Sequence, residues 1–172
     1  LKFFDENQLN ARQNELKRKL TSGQQANGGF SWYKGGKTSY WMSLYLAKSL
    51  SRLHTFGAFP EELSKLNEKL ILYLDREMNA DYRRYKAEER LEKIGLSHLM
   101  YCAVRSNMMD KVPLKSDFEE GYQFFVESNL NQWKKASFRT RIPLAKLAYK
   151  SDNKLVLTSD AFPKSVFAFS SL

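Results

Sequence analysis

The chain has 172 residues, 42% hydrophobic and 14% aromatic, with only four Pro and eight Gly; that suits one domain with a sizeable core and argues against two domains or a sandwich of many short strands. Its net charge of +9, from 28 basic and 19 acidic side chains, suits an acidic partner, nucleic acid or an anionic membrane, but the basic residues read as scattered, so a solvated Lys-rich exterior is the first reading. Cys102, the one cysteine, excludes an intramolecular disulfide and a cysteine-built zinc cage, and no run reaches the ~20 apolar residues of a membrane span.

Asp5 to Leu20 reads as a helix, with Asp5 as cap and Leu9, Leu16 and Leu20 at helical spacing. Arg18 and Lys19 suit its C-terminal end, and Gly23 can close it. The stretch that follows is the most specific in the chain. Gly28-Gly29 and Gly35-Gly36 bracket Phe30, Trp32 and Tyr33. Thr38 or Ser39 can cap a helix whose first turn carries Tyr40, Trp41 and Met42. The glycines supply unusual backbone angles, and the aromatics are expected to turn inward and pin the loop. Thr38 to His54 is that second helix, with Met42, Leu46, Leu50 and Leu53 as a stripe. Trp41, Leu44, Tyr45 and Ala47 make its first half apolar nearly all round, which predicts burial on most sides.

Gly57 and Pro60 mark a turn. Pro60 to about Met78 reads as a one-faced helix. Leu63, Leu66, Leu70, Tyr73 and Leu74 lie inside, while Lys65, Glu68, Lys69 and Asp75 face mostly out. Asp81 to Lys93 is highly charged and reads as a helical extension or a connector. About Ile94 to Met109 is apolar again, and Pro113 breaks it. Ser116 and Glu119 form a capping-box pattern before a helix with Phe118, Tyr122, Phe125 and Trp133 on its buried side. About Ser137 to Tyr149 is a shorter helix, in which Pro143 implies a kink or a late start. A turn at Ser151-Asp152-Asn153 precedes a last helix from about Asp160 to Leu172. Leu155 to Thr158 is the one short strand candidate. The abrupt start at Leu1 and the apolar finish from Val166 to Leu172 read as cut ends of a longer, multidomain protein, in which 1–172 is one helical domain.

Mostly buried helices near 38, 93 and 138 alternate with one-faced ones. The expected fold class is therefore all-α, built of antiparallel helix hairpins of unequal length that form part of an α/α toroid. The run Gly28-Gly29-Phe30-Ser31-Trp32, then Gly35-Gly36, then Ser39-Tyr40-Trp41-Met42-Ser43-Leu44-Tyr45-Leu46 resembles the thioester-domain region of the bacterial alpha-2-macroglobulin family. The match spans about Leu16 to Met78, and beyond it only the helical pattern agrees. The resemblance implies a toroid of helix hairpins, of which this chain holds part, within a periplasmic or envelope-associated protein that traps peptidases. Its partners would be neighbouring domains of the same chain and, through the parent protein, target proteases. Nucleic acid and membrane contact are not expected. The reactive thioester of that family needs Cys-x-Glu-Gln, whereas Cys102 is followed by Ala103, Val104 and Arg105. No catalytic residue, cofactor or metal is expected. Gly28, Gly29, Phe30, Trp32, Gly35, Gly36, Tyr40 and Trp41 form a structural loop and helix start.

Other chemistry finds weaker support. Terpene cyclases and protein prenyltransferases share the toroid, and the latter need zinc. His98 and Cys102 lie one helical turn apart, but no third ligand is in view, and the apolar surroundings favour a packed thiol. Glycosidases on α/α barrels use two carboxylates across a cleft. Glu61-Glu62, Glu88-Glu89 and Glu119-Glu120 sit on charged faces or helix starts, where solvation or capping is the default. The runner-up is thus a toroid enzyme acting on a carbohydrate or an isoprenoid. Gly36-Lys37-Thr38 ends like a phosphate loop, but the earlier glycine would have to be Ser31. Arg83, Arg84, Lys86 and Arg90 could meet phosphates, but Glu88, Glu89 and Glu92 dilute that field.

Overall fold

A computed structural model describes residues 6–88, 95–132 and 137–151. These form six α-helices: α1 (Glu6–Gly23), α2 (Tyr40–Thr55), α3 (Ser64–Ala87), α4 (Leu96–Asn107), α5 (Ser116–Asn131) and α6 (Phe138–Lys150). A short 3-10 turn, Glu61–Leu63, leads into α3. Among the described residues there is no strand, only one isolated bridge between Phe30 and Ser39. The expected last helix, the strand candidate at 155–158, Trp133 and the charged residues 89–93 lie outside the described residues.

The helices stack in two layers that run in opposite directions. α2, α4 and α6 share one direction, since contacts join their C-terminal ends. His54 Nε2 lies 2.8 Å from Asp110 Oδ2 just past α4, and Lys150 Nζ donates to the Ser106 carbonyl at 3.1 Å. α3 runs against α4, because Asp75 meets Tyr101 and Arg105 while Tyr85, further along α3, meets His98 at the start of α4. α5 also runs against α4, with the rings of His98 and Phe125 stacked at 4.6 Å and those of Tyr101 and Tyr122 edge-on at 6.2 Å. α2–α3 and α4–α5 are therefore antiparallel hairpins, and α6 continues the first layer.

α4 lies at the centre and packs on α2, α3, α5 and α6. Its first turns are buried nearly all round, through Leu99, Met100, Tyr101, Cys102, Val104 and Arg105, as its apolar run predicts. Cys102 is fully buried, and burial pushes its thiol well above the usual range. It is a packed side chain, not a reactive one.

Several local expectations change. α2 is one-sided: Ser43, Leu44, Ala47, Leu50 and Ser51 are buried, while Trp41, Tyr45 and Leu53 face out. Apolar residues all round a helix do not force burial when neighbours fill only two sides. α1 has no buried residue, and Leu9 and Leu16 are exposed. The charged stretch from Asp81 continues α3 without a break to Ala87. Asp75 is buried rather than outward, since it falls one turn after Ile71 and one before Met78 on the packed face. The capping box at Ser116 does not form; the cap position is Lys115, so Ser116 sits inside the first turn. Pro143 lies inside α6, five residues past its start at Phe138, which removes the late-start alternative.

Candidate docking site at the glycine–aromatic corner

The corner is built from Gln24 to Ser39 and closes on α3. Gly28 has φ +92°, and a Cβ there would stand 2.3 Å from the Lys69 carbonyl oxygen. Only glycine takes that angle freely and lets the two backbones approach so closely. A Cβ on Gly29 would meet Thr38 Cγ2 at 2.4 Å and the Tyr73 ring at 2.9 Å. The first glycine pair thus presses the loop flat onto α3. Burial raises the Tyr73 hydroxyl to about 12, so it stays neutral.

Ten residues span the neck of the loop. The Ser39 amide donates to the Phe30 carbonyl at 2.7 Å. The Phe30 amide donates to Ser43 Oγ at 2.8 Å, and that hydroxyl donates to the Ser39 carbonyl at 2.8 Å. Ser39 is the N-cap, its side chain accepting from the Met42 amide at 3.3 Å. Phe30 is buried at 5% exposure; burying such a side chain stabilises by roughly 1.5–3 kcal/mol.

Two glutamines just before the glycine pair tie the loop down. Gln24 Nε2 donates to the carbonyls of Gly28 and Leu66, each at 2.9 Å, and so ties the loop to α3. Gln25 Nε2 donates to the Gly36 carbonyl at 2.7 Å, and Gln25 also receives the Thr38 hydroxyl. Asn27 adds a bond to Thr38 at 3.0 Å and receives the Gly29 amide at 3.0 Å. Arg76 of α3 donates to the Asn27 carbonyl at 2.5 Å.

Beyond the neck the inward expectation fails for two of the three bracketed aromatics. Trp32 and Tyr33 are 65% and 72% exposed. The loop turns back at Gly35, with φ +79°, and Gly36 lies under the Tyr33 ring. Tyr40 is half-buried, and burial raises its hydroxyl far above the usual value. Trp41 stands outside with its ring 6.1 Å from that of Tyr45. Phe30 and Tyr40 therefore anchor the corner, while Trp32, Tyr33, Trp41 and Tyr45 face water.

Along the sequence, the charge of the segment that carries these rings is one-sided. No acid occurs from Leu16 to Pro60, a stretch with seven Lys and Arg: Lys17, Arg18, Lys19, Lys34, Lys37, Lys48 and Arg52. Lys17 and Lys19 pair with acids outside it, Glu62 at 2.8 Å and Glu15 at 2.7 Å. Lys34, Lys37, Lys48 and Arg52 are exposed and hold no ion pair among the described residues. A count of acids along the chain carries this signal; a count of basic residues alone hides it.

A second polar cluster lies inside, between α3 and α4. Asp75 and Arg105 are both buried, with Arg105 Nε 3.1 Å from Asp75 Oδ1. That approach is an ion pair without the alignment of a hydrogen bond. Tyr101 donates to the same oxygen at 2.8 Å, and Arg105 Nη1 donates to the Val112 carbonyl at 2.6 Å. Burial pushes the Asp75 carboxyl above its ordinary range, and Arg105 only partly offsets this. Burial also lowers His98, against the opposing pull of Asp81. His98 Nδ1 accepts the Gly95 amide at 3.0 Å, while Nε2 lies 3.6 Å from Asp81 Oδ2. His98 and Cys102 gain no metal partner: no group of three His, Cys, Asp or Glu that could hold an ion occurs among the described residues.

A cleft of ≈ 410 Å³ opens between α4, α5 and α6, lined by Ser106, Met109, Tyr122, Gln123, Lys150 and Ser151. It has no carboxylate in its lining, so the facing acids of a glycosidase are not found there among the described residues. Glu61 and Glu120 instead pair on the surface with Lys111 and Lys86. No described helix is long and apolar enough to cross a membrane. Comparison with family models, with curated proteins and with solved structures returns no match.

Proposed function

We propose that this chain is a non-catalytic helical docking domain of the kind found in the thioester-type toroid of bacterial alpha-2-macroglobulins. In that setting the two helix layers curve on into a ring. The domain sits in the periplasm or at the cell envelope and docks on neighbouring domains of its own protein. It shifts with them when a protease cuts the bait region, so target proteases are met through the parent protein. Neither nucleic acid nor membrane takes part. The observation that carries this reading is the corner at the start of α2. A neck of side-chain and backbone bonds holds it rigid, yet it presents Trp32, Tyr33, Trp41 and Tyr45 to water. Rigid, exposed Trp and Tyr lose little entropy on contact and dominate the energetics of protein interfaces.

The test uses the full-length parent protein and a broad-specificity serine endopeptidase. Trapping leaves the protease active on a small peptide substrate while a large protein substrate is spared. A Trp32→Ser/Trp41→Ser variant of the parent, folded by circular dichroism, is expected to lose that protection. A parent that spares both substrates, or leaves both cleaved, removes the protease-trapping reading.

A further inference from the structure

We infer that the outward face of α2 is the seat of an acidic amphipathic helix from a neighbouring domain. This rests on the docking reading above and adds the chemistry of the partner. Among the exposed positions of α2 and its cap, Trp41, Tyr45, Lys48, Arg52 and Phe56 follow one another at steps of four, three, four and four, with Ser49 and Leu53 beside them. They form one ridge, the kind that packs into the groove of another helix. At 1.5 Å per residue the ridge is about 22 Å long, which fits a partner helix of about 15 residues. The opposite face of α2 is already used on α3 and α4.

The charge selects the partner. Lys48 and Arg52 stand on the ridge itself, and Lys34 and Lys37 on the loop that leads into it, a stretch with no acid from Leu16 to Pro60; Asp81 and Glu77 of α3 act on Tyr40, behind the ridge. Acidic residues flanking the apolar stripe of the partner would meet them at the rim, where charge sets orientation and rate of encounter, while the rings bury at the centre. Trp41 and Tyr45 are half sunk, 42% and 49% exposed, which suits side chains wrapping them better than a bilayer that needs protruding rings. Tyr40 stands edge-on to Trp41 at 6.4 Å, and Tyr45 tilts against it by 33°. The rings make a shelf rather than the separate open faces on which nucleobases stack.

The test places photoreactive p-benzoylphenylalanine at position 41 of the full chain, made in its own cells, and identifies the adduct by mass spectrometry. The expected adduct is a protein segment of helical pattern with net negative charge. Its yield should fall about tenfold in a Lys34→Glu/Lys37→Glu/Lys48→Glu background and recover when the partner acids become Lys. All three lysines are exposed, and circular dichroism checks that the variant is folded. An adduct to a neutral or basic protein segment, or a yield indifferent to charge reversal, overturns the acidic helix and leaves protein docking standing. Adducts to lipid or nucleic acid, or none at all, overturn both.

Discussion

The corner at the start of α2 and the seam between α3 and α4 treat polar and aromatic groups in opposite ways. In the seam, Asp75, Arg105 and Tyr101 are taken fully out of water and meet one another, with Asp75 Oδ2 and Arg105 Nη2 left without a hydrogen bond among the described residues. In the corner, side-chain amides and hydroxyls bind backbone, and the large rings beyond the neck are left wet. The first arrangement fixes how two helices sit. The second fixes a surface while keeping it available. Damage to the seam should therefore register in stability, and damage to the rings in association.

The sharpest way to break this contrast is Arg105→Ala. It strands a buried carboxyl and is expected to cost about 3–5 kcal/mol, read as a lower urea midpoint. The double variant Asp75→Leu/Arg105→Met removes both charges, and it should recover most of that loss in the same measurement. Equal losses in the two would mean that the pair is not coupled.

Gly28→Ala comes next. It forces a side chain into positive φ and against the Lys69 carbonyl, so thermal unfolding should reveal a loss on the order of 1–3 kcal/mol. Because Gly28 joins the corner to α3, this variant alone should lower both stability and association.

Acid is a milder probe of the seam. His98 is held below its ordinary pKa, chiefly by burial, with Asp81, Arg84 and the Gly95 amide around it. The unfolded chain therefore binds a proton at His98 at higher pH than the folded chain does. The contribution of neutral His98 is fully present above about pH 6.5 and is lost as pH falls through its lowered folded value. Urea midpoints at pH 7.5 and pH 5 should differ more in the native chain than in His98→Gln. An identical pH dependence in the two would remove the assignment.

The smallest effect on stability belongs to Trp32→Ser/Trp41→Ser. Trp32, 65% exposed, should change the midpoint by no more than about 0.5 kcal/mol, and the half-sunk Trp41 by no more than about 1 kcal/mol. A larger loss would mean that they pack, and the two regions would then differ less than drawn here.

The helices were largely legible, because period and breakers report on local geometry. Ser39 caps α2, and Phe30 seats the loop as the glycine-bracketed aromatics imply. The misses share a cause. Whether a residue faces in or out depends on what another part of the chain brings to it. Asp75 is inside because its place one turn from Ile71 and Met78 puts it on the packed face, where Arg105, thirty positions later, meets it. Trp32 is outside because it lies past the bridge from Phe30 to Ser39, on the outer part of the loop. The bonds of Gln24 and Gln25 were not legible, since hydrogen bonds from a side chain to a distant carbonyl leave no spacing pattern.

The neck has a practical meaning as well. With both strands of the loop stapled at Phe30 and Ser39, the residues between Ser31 and Thr38 can be lengthened at little entropic cost, only about 0.6 kcal/mol for each doubling. Foreign sequence spliced between Lys34 and Gly35, such as an epitope or a spectroscopic tag, would ride on the scaffold without entering it. The chain thus carries its own grafting port.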